Sequence, residues 1–208
     1  MTHARTLASS LVAALVLSAA ATPALANPDI DFFAQLAVAP PPERGKTTTT
    51  RNGVTFVDEQ GWYIADLPPG ATTTARSAQV RDFNLSIKGR VVTCTAARFP
   101  DRTKALYTFS NLQKRVETLL TPGGQWDKAA GGMMTVVERS LLPIGSTTIR
   151  GAAFTGPNKT AAGHRTLAVV ETTGGTILLG CTGESIAESR DLTTRTFRLA
   201  NGAMAGAS

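Results

Sequence analysis

The sequence predicts an α+β fold, an antiparallel β-sheet with helices packed on it, preceded by a short N-terminal helix and a linker. Three observations carry this. Short runs rich in β-branched and aromatic residues recur between turn signals, and along Phe83, Leu85 and Ile87 apolar side chains alternate with polar neighbours. Gly174-Gly175, between Val169-Val170-Glu171 and Ile177-Leu178-Leu179, reads as a hairpin turn, because both positions tolerate positive φ. One stretch, Asn111 to Leu120, switches to helical spacing.

In chain order, residues 1–26 read as a cleavable signal peptide. Met1-Thr2-His3-Ala4-Arg5 gives a positively charged start, and Leu11 to Leu17 an apolar run. Ala24-Leu25-Ala26 then supplies small residues at a cleavage site, just after the helix-breaking Pro23. The apolar run is shorter than the about 20 residues a membrane span needs. No cysteine stands near the cut, so no lipid anchor is expected. The working protein is then periplasmic or secreted, and begins at Asn27.

Residues 27–52 read as a short helix and a Pro/Thr-rich linker. Asn27-Pro28-Asp29 combines a capping residue, proline at the first helical position and an acid in the first turn. The amphipathic segment that follows reaches about Val38, with Ile30, Phe33 and Leu36 as candidate partner-binding residues. Pro40-Pro41-Pro42 ends it, and Glu43 to Asn52 reads as a flexible or extended linker.

Residues 53–208 form the expected single α+β domain. Strands are predicted at Val54–Val57, Trp62–Ala65, around Phe83–Ile87 and over Arg90–Arg98, with a turn at Leu67-Pro68-Pro69-Gly70. Ser110 and Gln113 fit a capping box for the helix at Asn111–Leu120, whose stripe is Leu112, Val116, Leu119 and Leu120. Thr121-Pro122-Gly123-Gly124 terminates it. Gly131-Gly132 opens strands at Met133–Leu142, Thr147–Thr155 and Arg165–Glu171. A closing helix is expected over Glu184–Leu199, although Thr193 to Leu199 also alternates as a strand would. Cys94 and Cys181 each sit in a strand-like run, and an oxidising compartment makes a disulfide between them the natural inference.

The Trp62-Tyr63-Ile64-Ala65-Asp66-Leu67-Pro68-Pro69-Gly70 stretch, the mid-chain helix at Asn111–Leu120, the antiparallel strands and the closing helix resemble the Mog1p/PsbP-like fold. The resemblance covers about Gly53 to Leu199. Most members of that superfamily bind other macromolecules and have no catalytic residues to carry over, so it implies a binding module by fold-level analogy. The long hydrophilic linker and the cysteine pair depart from its pattern.

Residue counts limit the chemistry. His164 is the one histidine after residue 26, too few for the imidazole sets of most exported zinc sites. Neither a G-x-S-x-G elbow nor an S-x-x-K pair occurs. Gly45-Lys46-Thr47 resembles the end of a phosphate-binding loop, but Pro40 stands where its first glycine belongs. The carboxylates, among them Asp58, Glu59, Asp66, Asp101, Glu117, Asp127, Glu138, Glu171, Glu184 and Glu188, show no distinguished pair. The formal charge of +6 is spread out, without the clustering of a nucleic-acid footprint. The sequence therefore predicts a non-enzymatic protein-binding or accessory module of the bacterial envelope, with no cofactor, no metal and no nucleic-acid partner. Alternatives are a small-ligand binder, with Trp62 and Trp126 as candidate stacking residues, and an envelope enzyme without a recognisable motif.

Overall fold

The computed structural model describes residues 45–146 and 148–204. The expected signal peptide, and the amphipathic segment with Ile30, Phe33 and Leu36, lie outside the described residues.

The fold is α+β, as the sequence predicts. Strands β1 (Lys46–Thr50), β2 (Gly53–Val57) and β3 (Tyr63–Leu67) come first, then β4 (Thr72–Ala75), β5 (Val80–Ile87) and β6 (Arg90–Pro100). A 3₁₀ turn at Arg102–Leu106, helix α1 (Phe109–Lys114), a second 3₁₀ turn at Val116–Leu120 and α2 (Gln125–Met133) follow. The chain continues through β7 (Glu138–Pro143), β8 (Arg150–Pro157), β9 (His164–Thr172) and β10 (Gly175–Gly183). It ends with α3 (Ile186–Thr196), β11 (Phe197–Leu199) and the short α4 (Asn201–Met204). The strands make a four-stranded sheet, β1-β2-β3-β11, and a seven-stranded sheet, β4-β5-β6-β10-β9-β8-β7, with every pairing antiparallel.

The large sheet buries both faces because its strands place alternate residues on two cores. On one face Phe83, Leu85, Val92, Cys94, Ala168, Val170, Ile177 and Leu179 meet Phe56, Tyr63, Leu67 and Phe197 of the small sheet and Leu192 of α3. On the other, Ala97, Ala152, Phe154, Leu167, Val169 and Leu178 meet Val116, Ala130, Met133 and Met134 of the helical layer. Phe83 anchors the first core: Phe56 and Phe197 stand edge-on to it at 5.4 and 5.8 Å between ring centres. Cys94 and Cys181 are directly opposite each other on β6 and β10, disulfide-bonded, with Cα atoms 4.0 Å apart.

The structure departs from the sequence expectations at four places. Residues 46–50, read as linker, form β1 and pair with β2 through Thr48↔Thr55, because a run of β-branched residues favours the extended backbone. The mid-chain helix is capped by Thr108, whose Oγ1 accepts from the Asn111 N–H at 3.2 Å, and not by Ser110; it stops at Lys114. Beyond it, the Thr118 and Thr121 hydroxyls bond to the Arg115 and Thr118 carbonyls, local bonds that suit the tighter 3₁₀ winding of Val116–Leu120. Gly131-Gly132 lies inside α2 and opens no strand, since burial of Ala130 and Met133 outweighs the poor helix propensity of glycine. The closing segment divides: α3 runs to Thr196, and only Phe197–Leu199 takes the strand alternative, pairing with β3.

The predicted hairpin joins β9 to β10, but its two turn residues are Thr173 and Gly174, and Gly175 already pairs with Thr172 as the first residue of β10. A Cβ on Gly175, at φ 149°, would lie 2.1 Å from the Phe99 carbonyl oxygen, so the close approach of β6 admits only glycine there.

Candidate functional site

Helix α3 starts where Ser185 leaves the extended region and its Oγ accepts from the Glu188 N–H at 3.1 Å. Glu188 reaches back past the cap to accept from the Glu184 N–H at 2.6 Å, so one orphan donor of the first turn and the N–H just before the cap are both satisfied. That backbone N–H bond, followed by the Arg90 guanidinium, holds the Glu188 carboxyl below its ordinary value.

The underside of α3 is rich in hydroxyls. Ser189, Leu192, Thr193 and Thr196 are its buried residues. Ser189 Oγ lies 2.8 Å from Thr166 Oγ1 on β9. Thr193 Oγ1 accepts from the Cys181 N–H at 3.0 Å and donates to the Ser189 carbonyl at 2.7 Å. Thr196 Oγ1 stands 3.9 Å from Cys94 Sγ, so α3 roofs the disulfide. This seat gives α3 direction through hydrogen bonds, with Leu192 as its one large buried apolar side chain.

Grooves border α3 on two sides. One, of about 820 Å³, lies between α3, the end of β3 and the β5–β6 hairpin. Its apolar floor is Pro68, Leu85, Ile87, Ala187 and Leu192. Lys88, at φ 50°, and Gly89, at φ 77°, make the two-residue turn that brings Ile87 and Lys88 to its edge. Most of the rim charges are tied to one another, Lys88 standing outside these pairs: Arg90 bonds Glu184 at 2.8 Å and Glu188 at 2.7 Å, Arg198 bonds Asp66 at 2.6 Å, and Arg195 pairs with Asp191 one turn back. The other groove, of about 610 Å³, runs between α3 and β7 past Leu142, Pro143, Ile186 and Arg190, which pairs with Glu138.

The sequence-predicted residues fall elsewhere. Trp62 is 7% exposed, and a Cβ on Gly174 would lie 2.8 Å from its ring, so the hairpin turn covers the indole. Trp126 sits half-buried on α2 against Phe99, at 6.3 Å between ring centres. The two tryptophans belong to the cores on opposite faces of the large sheet: Trp62 is buried, while Trp126 keeps part of its surface exposed. His164 Nδ1 lies 2.9 Å from the Glu184 carbonyl and steadies the turn that leads into α3. The α3 groove escaped sequence reasoning because three separated segments build it; the Ser185/Glu188 capping box was its one local signal.

Two polar clusters invite a catalytic reading. Lys104 Nζ lies 2.5 Å from both Glu171 Oε2 and Thr176 Oγ1, the layout of a lysine-assisted hydroxyl nucleophile. Thr176 is 4% exposed, and the carboxylate neutralises the lysine as a cation, so the cluster clamps the Arg102–Leu106 turn to β9 and β10. Arg98, buried, bonds Asp58 and Glu59 at 3.1 Å each and the Ala78 carbonyl at 2.7 Å. Burial pushes the Asp58 carboxyl up from its ordinary value, against the opposing pull of Arg98. This cluster ties the β2–β3 loop to the sheet. Among the described residues no group of three or more His, Cys, Asp or Glu is placed to hold a metal, and no helix is long and apolar enough to cross a membrane.

No family model matches the chain, and no curated protein matches it. Among solved structures, a crystal structure from Bacteroides thetaiotaomicron VPI-5482 at 1.50 Å resolution is similar at 13% identity and a TM-score of 0.41. The similarity covers 72% of this chain and 49% of that one, so the chain spans about half its length, and a likeness this distant carries no argument about function.

Proposed function

We propose that this protein is an exported, non-enzymatic binding module of the bacterial cell envelope, and that the groove between α3, β3 and the β5–β6 hairpin receives its protein partner. The observation that carries the reading is the groove's composition. Its floor is apolar, while Arg90, Glu184, Glu188, Asp66, Arg198, Asp191 and Arg195 are tied up in ion pairs around it. Such a surface offers apolar burial and orientation, and these paired groups are poor nucleophiles or bases. Export is supported by the features of residues 1–26 and by the Cys94–Cys181 disulfide, which suits an oxidising compartment. The Mog1p/PsbP-like resemblance points the same way by analogy.

The test begins with N-terminal sequencing of the protein recovered from the expressing cell, where Asn27 is the expected first residue. Cross-linking in intact cells and mass spectrometry then compare the wild type with Lys88→Glu, which reverses the charge at the exposed edge of this groove on the β5–β6 hairpin. One dominant envelope protein is expected with the wild type and not with the variant. Deleting residues 27–52 asks whether Ile30, Phe33 and Leu36 contribute to the same association. It also removes β1, so a melting curve accompanies it. Equal recovery of the same protein by wild type and Lys88→Glu would refute the groove assignment.

A further inference from the structure

Strand β1 is the outer strand of the four-stranded sheet, and all five of its residues are exposed on both faces. Its contact to the rest of the domain is therefore the ladder with β2. The hydrogen-bond parity of that ladder follows from the neighbouring pair. Asp58 donates its N–H to the Tyr63 carbonyl at 3.1 Å, so the even-numbered residues of β2 face β3. Residues 53, 55 and 57 then face β1, where their partners are Thr50, Thr48 and Lys46. The N–H and C=O groups of Thr47 and Thr49 are left pointing out of the sheet, toward an edge that pairs with no other strand among the described residues.

Its one edge protection is a single charge, Lys46 at the start of the strand. Within β1 there is no proline, no bulge and no inward-pointing charge, and four of its five residues are threonine, which favours strands. It is also self-complementary. In an antiparallel pairing about a two-fold axis at Thr48, Thr47 exchanges both backbone bonds with Thr49 of the partner subunit, and Thr49 does the same with the partner subunit's Thr47. Lys46 then faces Thr50 of the partner subunit, so the strand's single charge does not oppose itself. A foreign strand gains no such symmetry from this sequence.

We infer that β1 pairs edge-to-edge with β1 of a second copy of this chain, joining the two four-stranded sheets into one of eight strands. The contact is independent of the α3 groove. With five residues on each side it is a small interface, so the dimer is weak and forms as concentration rises.

The experiment uses the full chain, expressed with residues 1–26 in place and recovered as the cell processes it. Sedimentation velocity over a wide concentration range is expected to show a monomer–dimer equilibrium. Thr49→Pro removes one outward N–H and no β1–β2 bond, and is expected to abolish the dimer with little change in melting temperature. A second reading does not depend on that substitution. Thr48→Cys places two thiols across the two-fold axis, at a non-hydrogen-bonded pair where Cβ atoms stand about 4.5–5.5 Å apart, and is expected to give a covalent dimer on a non-reducing gel. Thr50→Cys, facing Lys46, is expected to give none. A wild type that stays monomeric at every concentration, a dimer that survives Thr49→Pro, or equal cross-linking from positions 48 and 50 would each overturn the pairing.

Discussion

The small sheet and α3 cover the same face of the large sheet, and they do it with different chemistry. Over β5 and β6 the cover is aromatic: Phe56, Tyr63 and Phe197 close around Phe83 with their rings edge-on. Over β10, β9 and β8 the cover is α3, seated through Ser189, Thr193 and Thr196. Edge-on ring packing fills the space between the two sheets. A hydroxyl-seated helix is held at particular points and leaves open ground along both flanks. The first arrangement fills its part of the face with rings, and the second leaves the grooves that the proposed function uses.

The largest expected effect falls in the aromatic half. Phe83→Ala leaves a ring-sized hole in a fully buried site and is expected to cost about 3–5 kcal/mol by chemical denaturation. If the loss is under about 1 kcal/mol, the ring cluster is not the anchor described. Replacing both Cys94 and Cys181 by Ala, at the boundary of the halves, is expected to cost about 2–5 kcal/mol.

These two halves were unequally legible in the sequence. The alternation of Phe83, Leu85 and Ile87 and the Gly174-Gly175 pair announced the large sheet, because strand period and turn chemistry are local. The Cys94–Cys181 bond was legible for a similar reason: both cysteines sit in apolar, strand-like runs, and the chain has no other cysteine. The seat of α3 was not, since Ser189, Thr193 and Thr196 have the composition of a solvated helix face, and only their partners on β9, β10 and β6 show that it is buried. What buries Trp62 was not legible locally either, its indole lying under a hairpin turn that is far away in the sequence. The groove could not be read from any single stretch, as Pro68, Leu85 and Leu192 meet only after the sheets stack.

In the hydroxyl half the effects are smaller. Thr193→Val keeps the shape but strands the Cys181 N–H, at an expected cost of about 1–3 kcal/mol. Native-state hydrogen exchange on this variant should show the loss concentrated in α3, with β5 and β6 little changed; a uniform loss would erase the distinction between the halves. Ser185→Ala removes the cap of α3 and is expected to cost about 1 kcal/mol.

The pH responses of two carboxylates, the smallest effects, differ in sign. Glu188, lowered by the Glu184 N–H and then by Arg90, contributes stability that is present above its unfolded value and lost as pH falls through its folded one. Asp58, raised by burial, contributes stability that is present below its unfolded value and lost as pH rises through its folded one. Relative to wild type, Glu188→Gln is therefore expected to lose its stability deficit on acidification. For Asp58→Asn the deficit should shrink as pH rises through the acidic range. Melting curves between about pH 3 and 7 compare them, and the same trend in both variants would contradict the assignments.

The central claim is that the groove beside α3 is where a partner binds. The most direct measurement places a photo-cross-linking amino acid at Ala187, on the groove, and in a second protein at Lys128, exposed on α2 beyond the opposite face of the large sheet. Irradiation of living cells is predicted to give one discrete adduct from position 187 and none from position 128. No adduct from 187, or the same adduct from both, would contradict the account.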